Sequence, residues 1–248
     1  MFHTLAYFNN IGVVVDTDMT PIQDNVILIQ NAHFVFQQDV NLFLAALMEA
    51  TPARARIVTP SLRIPSTPWI RPLITGTVPP NQPVMADYRA NPLTLRSLEE
   101  TQMLVTSALA MGNEHATGLL WVGDAITPAP QGNVVTMRGT STSAAVVNTW
   151  SPLTVIWQDT LPFGTYGIVG LQHQSTNGQA ARLNINGQQW RPGALSVTGL
   201  GNYSVPAFLK GGMGLWGTFR STAMPIVEVL CDAANAAHEV YLEFVRMS

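Results

Sequence analysis

Residues 156–193 read IWQDTLPFGTYGIVGLQHQSTNGQAARLNINGQQWRPG, and three words of this stretch occur earlier in the chain in the same order. Ile156-Trp157-Gln158-Asp159 follows an apolar run, as does Phe36-Gln37-Gln38-Asp39. Arg182-Leu183 answers Arg56-Ile57, and Trp190-Arg191-Pro192 answers Trp69-Ile70-Arg71-Pro72. A fourth match closes each half: 110–115 (AMGNEH) leads into Leu119-Leu120-Trp121-Val122, and 233–238 (AANAAH) leads into Leu242-Glu243-Phe244-Val245. Measured from Asp39 to Asp159, Arg56 to Arg182, Trp69 to Trp190 and His115 to His238, the offsets are 120, 126, 121 and 123 residues, near half of the 248-residue chain. Matches in one order at nearly constant offset indicate one unit written twice, with loop insertions absorbing the small differences.

The repeat also decides an ambiguous segment. Asn41 to Ala50 (NLFLAALMEA) has the residues of a helix, but its counterpart, Pro162 to Gln172 (PFGTYGIVGLQ), is rich in Gly and β-formers, so strand is expected for both. Elsewhere short apolar runs such as Gly12 to Val15, His33 to Phe36, Gln102 to Leu109, Thr165 to Leu171 and Glu239 to Arg246 alternate with turn residues, and Pro60 to Pro83 is densely punctuated by proline. Asn186-Gly187, placed after Leu183 to Ile185, is a hairpin-turn signal because both residues tolerate positive φ. The Pro-rich segment Ala125 to Asn133 falls near the midpoint and is the expected linker. The expectation is an all-β chain of two tandem jelly-roll domains, eight-stranded sandwiches or barrels, at 1–125 and 126–248.

Composition narrows the function classes. The chain is 47% hydrophobic and only 11% charged, against about a quarter in an ordinary soluble domain, with net charge -3 and one lysine, Lys210, beside eleven arginines. A surface so poor in charge is either covered by neighbouring subunits or made polar by uncharged side chains. No basic run is present to neutralise phosphates, so direct nucleic-acid binding is not indicated. Met1 to Asn10 lacks the basic segment and apolar stretch of a secretory signal, which implies cytoplasmic synthesis. Cys231, the single cysteine, lies in an apolar segment and is expected as a small core residue.

Tandem jelly rolls, together with Trp157-Gln158-Asp159, Leu161-Pro162-Phe163-Gly164, Tyr166-Gly167-Ile168-Val169-Gly170, Ala180-Ala181-Arg182 and Trp190-Arg191-Pro192-Gly193, resemble the double jelly-roll major capsid proteins of tailless icosahedral viruses and phages. The resemblance covers about Trp150 to Gly193 and the C-terminal strand; the first half joins through the repeat. It implies a homotrimer with two barrels per subunit, a pseudo-hexagonal tile of a virion lattice, with a vertex protein as a further partner and an internal membrane left open. The family has longer chains with decorated loops, so a plain tile is implied here.

No catalytic, metal or cofactor-binding residues are expected. The five histidines, His3, His33, His115, His173 and His238, are isolated in sequence, which argues against a bicupin enzyme, the rival with two β-barrels. Asp16, Asp18 and Asp24 offer oxygen ligands to calcium but lack EF-hand spacing and are better read as turn residues. A carbohydrate- or receptor-binding module would need some of the six tryptophans exposed in a row. Trp69, Arg71, Trp190 and Arg191 are the repeat residues singled out, either ending a strand and pinning a loop to the core or standing at subunit contacts, with the first role favoured.

Overall fold

The computed structural model describes residues 1–11, 16–49, 53–62, 69–71, 84–107, 114–197, 208 and 210–248. These are all-β apart from 3-10 geometry at Pro60–Leu62 and Phe208, and fall into two compact units, Leu5–Gly123 and Asp124–Ser248, the latter including Met1–Thr4.

The first unit contains β1 (Phe2–Ile11), β2 (Thr17–Asp18), β3 (Thr20–Pro21), β4 (Leu28–Gln30), β5 (His33–Val35), β6 (Val40–Glu49), β7 (Ala53–Val58), β8 (Trp69–Arg71), β9 (Val84–Asp87), β10 (Leu93–Leu95), β11 (Glu100–Ser107) and β12 (Glu114–Gly123). One sheet runs β10-β6-β12-β1-β3 with β9 also on β6; the other runs β4-β5-β11-β7-β8 with β2 also on β11. Leu42 to Met48 of β6 are all buried. A strand covered on both faces cannot alternate polar and apolar, which is why Leu, Ala and Met fill it; burial overrides their helical propensity. β1 is missed by sequence reading for the same reason, since Phe2 to Tyr7 are buried without a break.

The second unit contains β13 (Val134–Ser141), β14 (Ser151–Pro152), β15 (Ile156–Trp157), β16 (Thr165–Gln174), β17 (Gly178–Asn184), β18 (Gly193–Val197), β19 (Gly217–Arg220), β20 (Ile226–Cys231) and β21 (His238–Arg246). Its strands run β14-β20-β17-β18-β16-β21-β13-β15, with β19 on β16. The parallel pairing of β16 with β18 is the seam through which a four-stranded and a five-stranded sheet become one continuous path. Tyr166, Phe219 and Phe244 form an aromatic cluster with ring centroids 5.2–5.8 Å apart.

Both units obey one order of pairing. The path β9-β6-β12-β1 matches β19-β16-β21-β13, and β5-β11-β7-β8 matches β14-β20-β17-β18. Five of the eight counterparts start 124–126 residues apart, as β6 and β16 do at 40 and 165 and β12 and β21 at 114 and 238, while β5 and β14 are 118 apart, β1 and β13 132, and β9 and β19 133.

Individual sequence expectations fare unevenly. The segment at 41–50 is a strand as far as Glu49, the last of its described residues; Arg56 and Arg182 lie on matching strands, and so do His115 and His238. Trp69 opens β8, whereas Trp190 precedes the matching β18 by three residues. The match of Phe36 with Ile156 fails: Phe36 is buried just after β5, which pairs with β11, while Ile156 is 72% exposed in β15, which pairs with β13. Asn186-Gly187 does make a turn, with Gln188 N donating to Ile185 O and Gly187 at φ 78°, but Asn186 keeps negative φ and the connection from β17 to β18 is longer than a two-residue hairpin. The expected strand at Gly12 to Val15 lies outside the described residues. The Pro-rich segment 125–133 carries no strand, yet is tied down: Leu215 N donates to Thr127 O at 2.8 Å.

Candidate functional site

Three strands of the second unit bring together the charges that its core has to accommodate. Arg182 on β17 stands opposite Glu228 on β20 and Gly193 on β18 in register. Its Nε donates to Glu228 Oε2 at 2.7 Å, and its Nη1 reaches Thr4 O at 3.3 Å. The guanidinium also lies 4.1 Å from the ring centre of Trp150. From the other side Arg191 Nη1 donates to both oxygens of Glu228, at 2.7 and 3.0 Å. Arg182 is 1% exposed and Glu228 7%. Charges this deep persist only when paired and hydrogen-bonded, and here one carboxylate serves two guanidiniums while an indole face and a carbonyl take part of the remaining positive charge.

The backbone around Arg191 anchors the chain's first residues. Thr4 N donates to Arg191 O at 3.0 Å, Arg191 N donates to His3 Nδ1 at 2.9 Å, and the His3 ring sits 6.0 Å from Trp190. Gly193 is required by this closeness. A Cβ there would stand 2.5 Å from Ala181 O, 2.8 Å from Arg182 Cβ and 2.9 Å from Thr4 Oγ1. The first of these is backbone within the β17–β18 ladder, so Gly193→Ala is expected to lower unfolding free energy by about 1–3 kcal/mol, as overpacking does. Urea unfolding checks it; unchanged stability would mean that the ladder yields cheaply.

Of the four residues singled out in sequence, then, Trp190 and Arg191 are half-buried and engaged inside their own unit. Trp69 and Arg71 are placed in β8 by their backbones, with Arg71 opposite Ala55 and Trp69 opposite Arg56. Sequence reasoning missed Glu228. A signal was present, since a single carboxylate inside Ile226-Val227-Glu228-Val229-Leu230 has to find a cation if that strand is buried.

Two histidines that are isolated in sequence meet in the fold. His173 and His238 are buried against each other, with His173 Nε2 and His238 Nδ1 3.1 Å apart and the rings stacked at 5.3 Å. His3 is buried as well. Among the described residues no group of three or more His, Cys, Asp and Glu is placed to hold a metal. Asp16, Asp18 and Asp24 go to separate partners: Asp16 to Arg56 and Thr106, Asp18 to His33, and Asp24 to the amides of Val26 and Ile27. Cys231 is fully buried, and burial pushes its thiol up to about 11.

Two surface features remain. A hollow of about 570 Å³ is lined by Thr165, Asn186, Thr218, Phe219 and Arg220 among others. Arg220 is the charged group among the described residues of its lining. Beside it Phe163 is 82% exposed on a braced loop: Tyr166 Oη donates to Pro162 O at 2.8 Å, Arg246 Nη2 to Phe163 O at 3.1 Å, and Ser221 N to Gly164 O at 3.1 Å. A large aromatic held out in water by a rigid loop has the form of an interaction anchor, because little conformational entropy is left to lose on contact.

No family model and no curated protein matches the chain. Among solved structures, the crystal structure of the major capsid protein P2 from bacteriophage PM2 aligns with 100% of this chain and 98% of that one, at 12% identity and a TM-score of 0.27. A TM-score that low supports no conclusion about fold or function.

Proposed function

We propose that the chain is a capsid subunit: two tandem jelly rolls arising by duplication, assembling as a homotrimer whose copies tile an icosahedral shell. The observation that carries this reading is the repeated strand order, with five of the eight counterparts 124–126 residues apart. In each unit the first strand pairs with the last, the last with the third and the third with the sixth, while the second, seventh, fourth and fifth of the eight shared strands form the other sheet. That is the order of a jelly roll with its two Greek keys, an architecture common in viral shells. The low charge content and the single lysine fit a surface largely covered by neighbours, where Lys and Glu are depleted and Arg and aromatics kept.

The competing readings find less support. Trp121, Trp150 and Trp216 are buried, and Trp157 and Trp190 half-buried, which leaves no exposed row among them for stacking on sugar rings. A bicupin would need clustered ligands, and His173 and His238 spend their facing nitrogens on each other.

Sedimentation of the purified chain, followed by electron microscopy, tests the proposal. The expected result is a trimer stable at micromolar concentration, since an obligate interface buries roughly 2,000 Å² or more, with larger shells or sheets forming through weaker contacts between trimers. A stable monomer with no tendency to form larger bodies would overturn it.

A further inference from the structure

We propose that His173 and His238 form a shared proton-binding site that fastens the seam between β16 and β18, and that acid loads the pair and opens the seam. The seam consists of the pairs His173–Ser196 and Gln174–Val197. His173 Nδ1 lies 2.6 Å from Ser196 Oγ across it, and His173 Nε2 lies 3.1 Å from His238 Nδ1 on β21. The far nitrogen, His238 Nε2, is 3.3 Å from Asn235 O.

Those partners fix the protons. Asn235 O can only accept, so His238 Nε2 carries its hydrogen and a neutral His238 leaves Nδ1 bare. His173 Nε2 therefore donates to His238 Nδ1, and its own bare Nδ1 accepts from the Ser196 hydroxyl. Every ring nitrogen is satisfied in this one arrangement, and it holds no charge. One added proton either makes His173 the imidazolium, donating from both nitrogens with the Ser196 hydroxyl turned to accept, or sits on His238 Nδ1 and moves the His173 hydrogen to Nδ1; both place an uncompensated charge in the buried seam. A second would place two imidazolium rings 5.3 Å apart with N–H facing N–H.

The backbone of Ser143 also accepts from His238, and among the described residues the charges nearby are engaged elsewhere. On β21 and β13, Glu239 is bound to Arg138 and Tyr241. Beyond β20, Asp232 accepts from Gln179, and the Cys231 thiol is buried. On the β17 side, Gly178 and Ser175 close around the His173 ring; a Cβ on Gly178 would come within 3.0 Å of His173 Cε1. Burial first, and His238 second, lower the His173 pKa to about 3, and burial lowers that of His238.

The sign follows from linkage. The closed seam binds fewer protons than the open one, where the rings regain the ordinary value near 6.5. Closure is therefore fully favoured above that value and is lost progressively as pH falls from 6.5 toward about 3. Each proton taken up on opening weakens closure up to tenfold per pH unit. The first unit's one histidine with described contacts is arranged the other way, with His33 between Asp18 at 2.5 Å and Glu100 at 3.3 Å.

Imidazole titration by NMR and native-state hydrogen exchange on the whole chain test the proposal. Both rings should stay neutral well below pH 6.5. Protection of the Ser175 amide, which donates to Val197 O at the seam, should fall up to tenfold per pH unit per proton after correction for intrinsic exchange, while amides of the β6–β12 ladder hold. His238→Gln, which keeps an acceptor for His173 but cannot itself titrate, should reduce that dependence from two protons to the one that His173 still takes up. Either ring titrating near 6.5 in the folded chain, or equal loss of protection in both units, would overturn the proposal; the wild-type titration decides it even if the variant fails to fold.

Discussion

Glu228→Gln is expected to destabilise the second unit by about 3–5 kcal/mol, because it leaves two guanidiniums, one of them 1% exposed, without their shared carboxylate. The amide keeps the shape and one acceptor oxygen, so the loss reports charge and not volume. A second comparison separates these further. When Arg182→Met and Arg191→Leu accompany Glu228→Leu, most of the loss should be recovered, since a packed apolar replacement of a whole buried ion cluster is often neutral or stabilising. Denaturant unfolding of the single and triple variants measures both. A single variant within about 0.5 kcal/mol of wild type, the range of ordinary surface substitutions, would mean that water reaches the cluster and shares its charge.

Phe163→Ser is expected to weaken assembly at least about 30-fold while leaving the subunit's own stability within about 0.5 kcal/mol. The ring is 82% exposed, so its removal forfeits almost no packing inside the chain, and the bonds that brace its loop come from backbone atoms and from Tyr166, Arg246 and Ser221. The factor is that of an interface residue worth about 2 kcal/mol or more. Sedimentation over a dilution series, paired with thermal unfolding, separates the two effects. Wild-type assembly by the variant would remove this loop from the subunit contacts, and lost stability without lost assembly would make Phe163 a folding residue.

The buried polar groups illustrate what a sequence carries in plain sight and what it hides. Cys231 reads correctly as core because its neighbours are apolar, a local property. Glu228 and Arg182 are each visible as lone charges in apolar strands, yet which cation meets which carboxylate depends on the β17–β20 register between positions 46 apart in the chain. His173 and His238 are 65 residues apart and carry no common motif. Ile156 matched Phe36 as a word because both are large apolar residues before a polar run; exposure separates them, and no periodicity records it.

By itself the sequence determined the all-β class and the strand over Asn41 to Glu49, because turn residues, proline punctuation and repeated words act over a few neighbouring positions. Tertiary structure alone decided that β1 and β6 are strands covered on both faces, that Arg191 is spent on Glu228 inside its own unit, and that two histidines close the β16–β18 seam. Each of these depends on strands distant in the chain being hydrogen-bonded in one register, and in a sheet a shift of one residue turns every side chain to the opposite face.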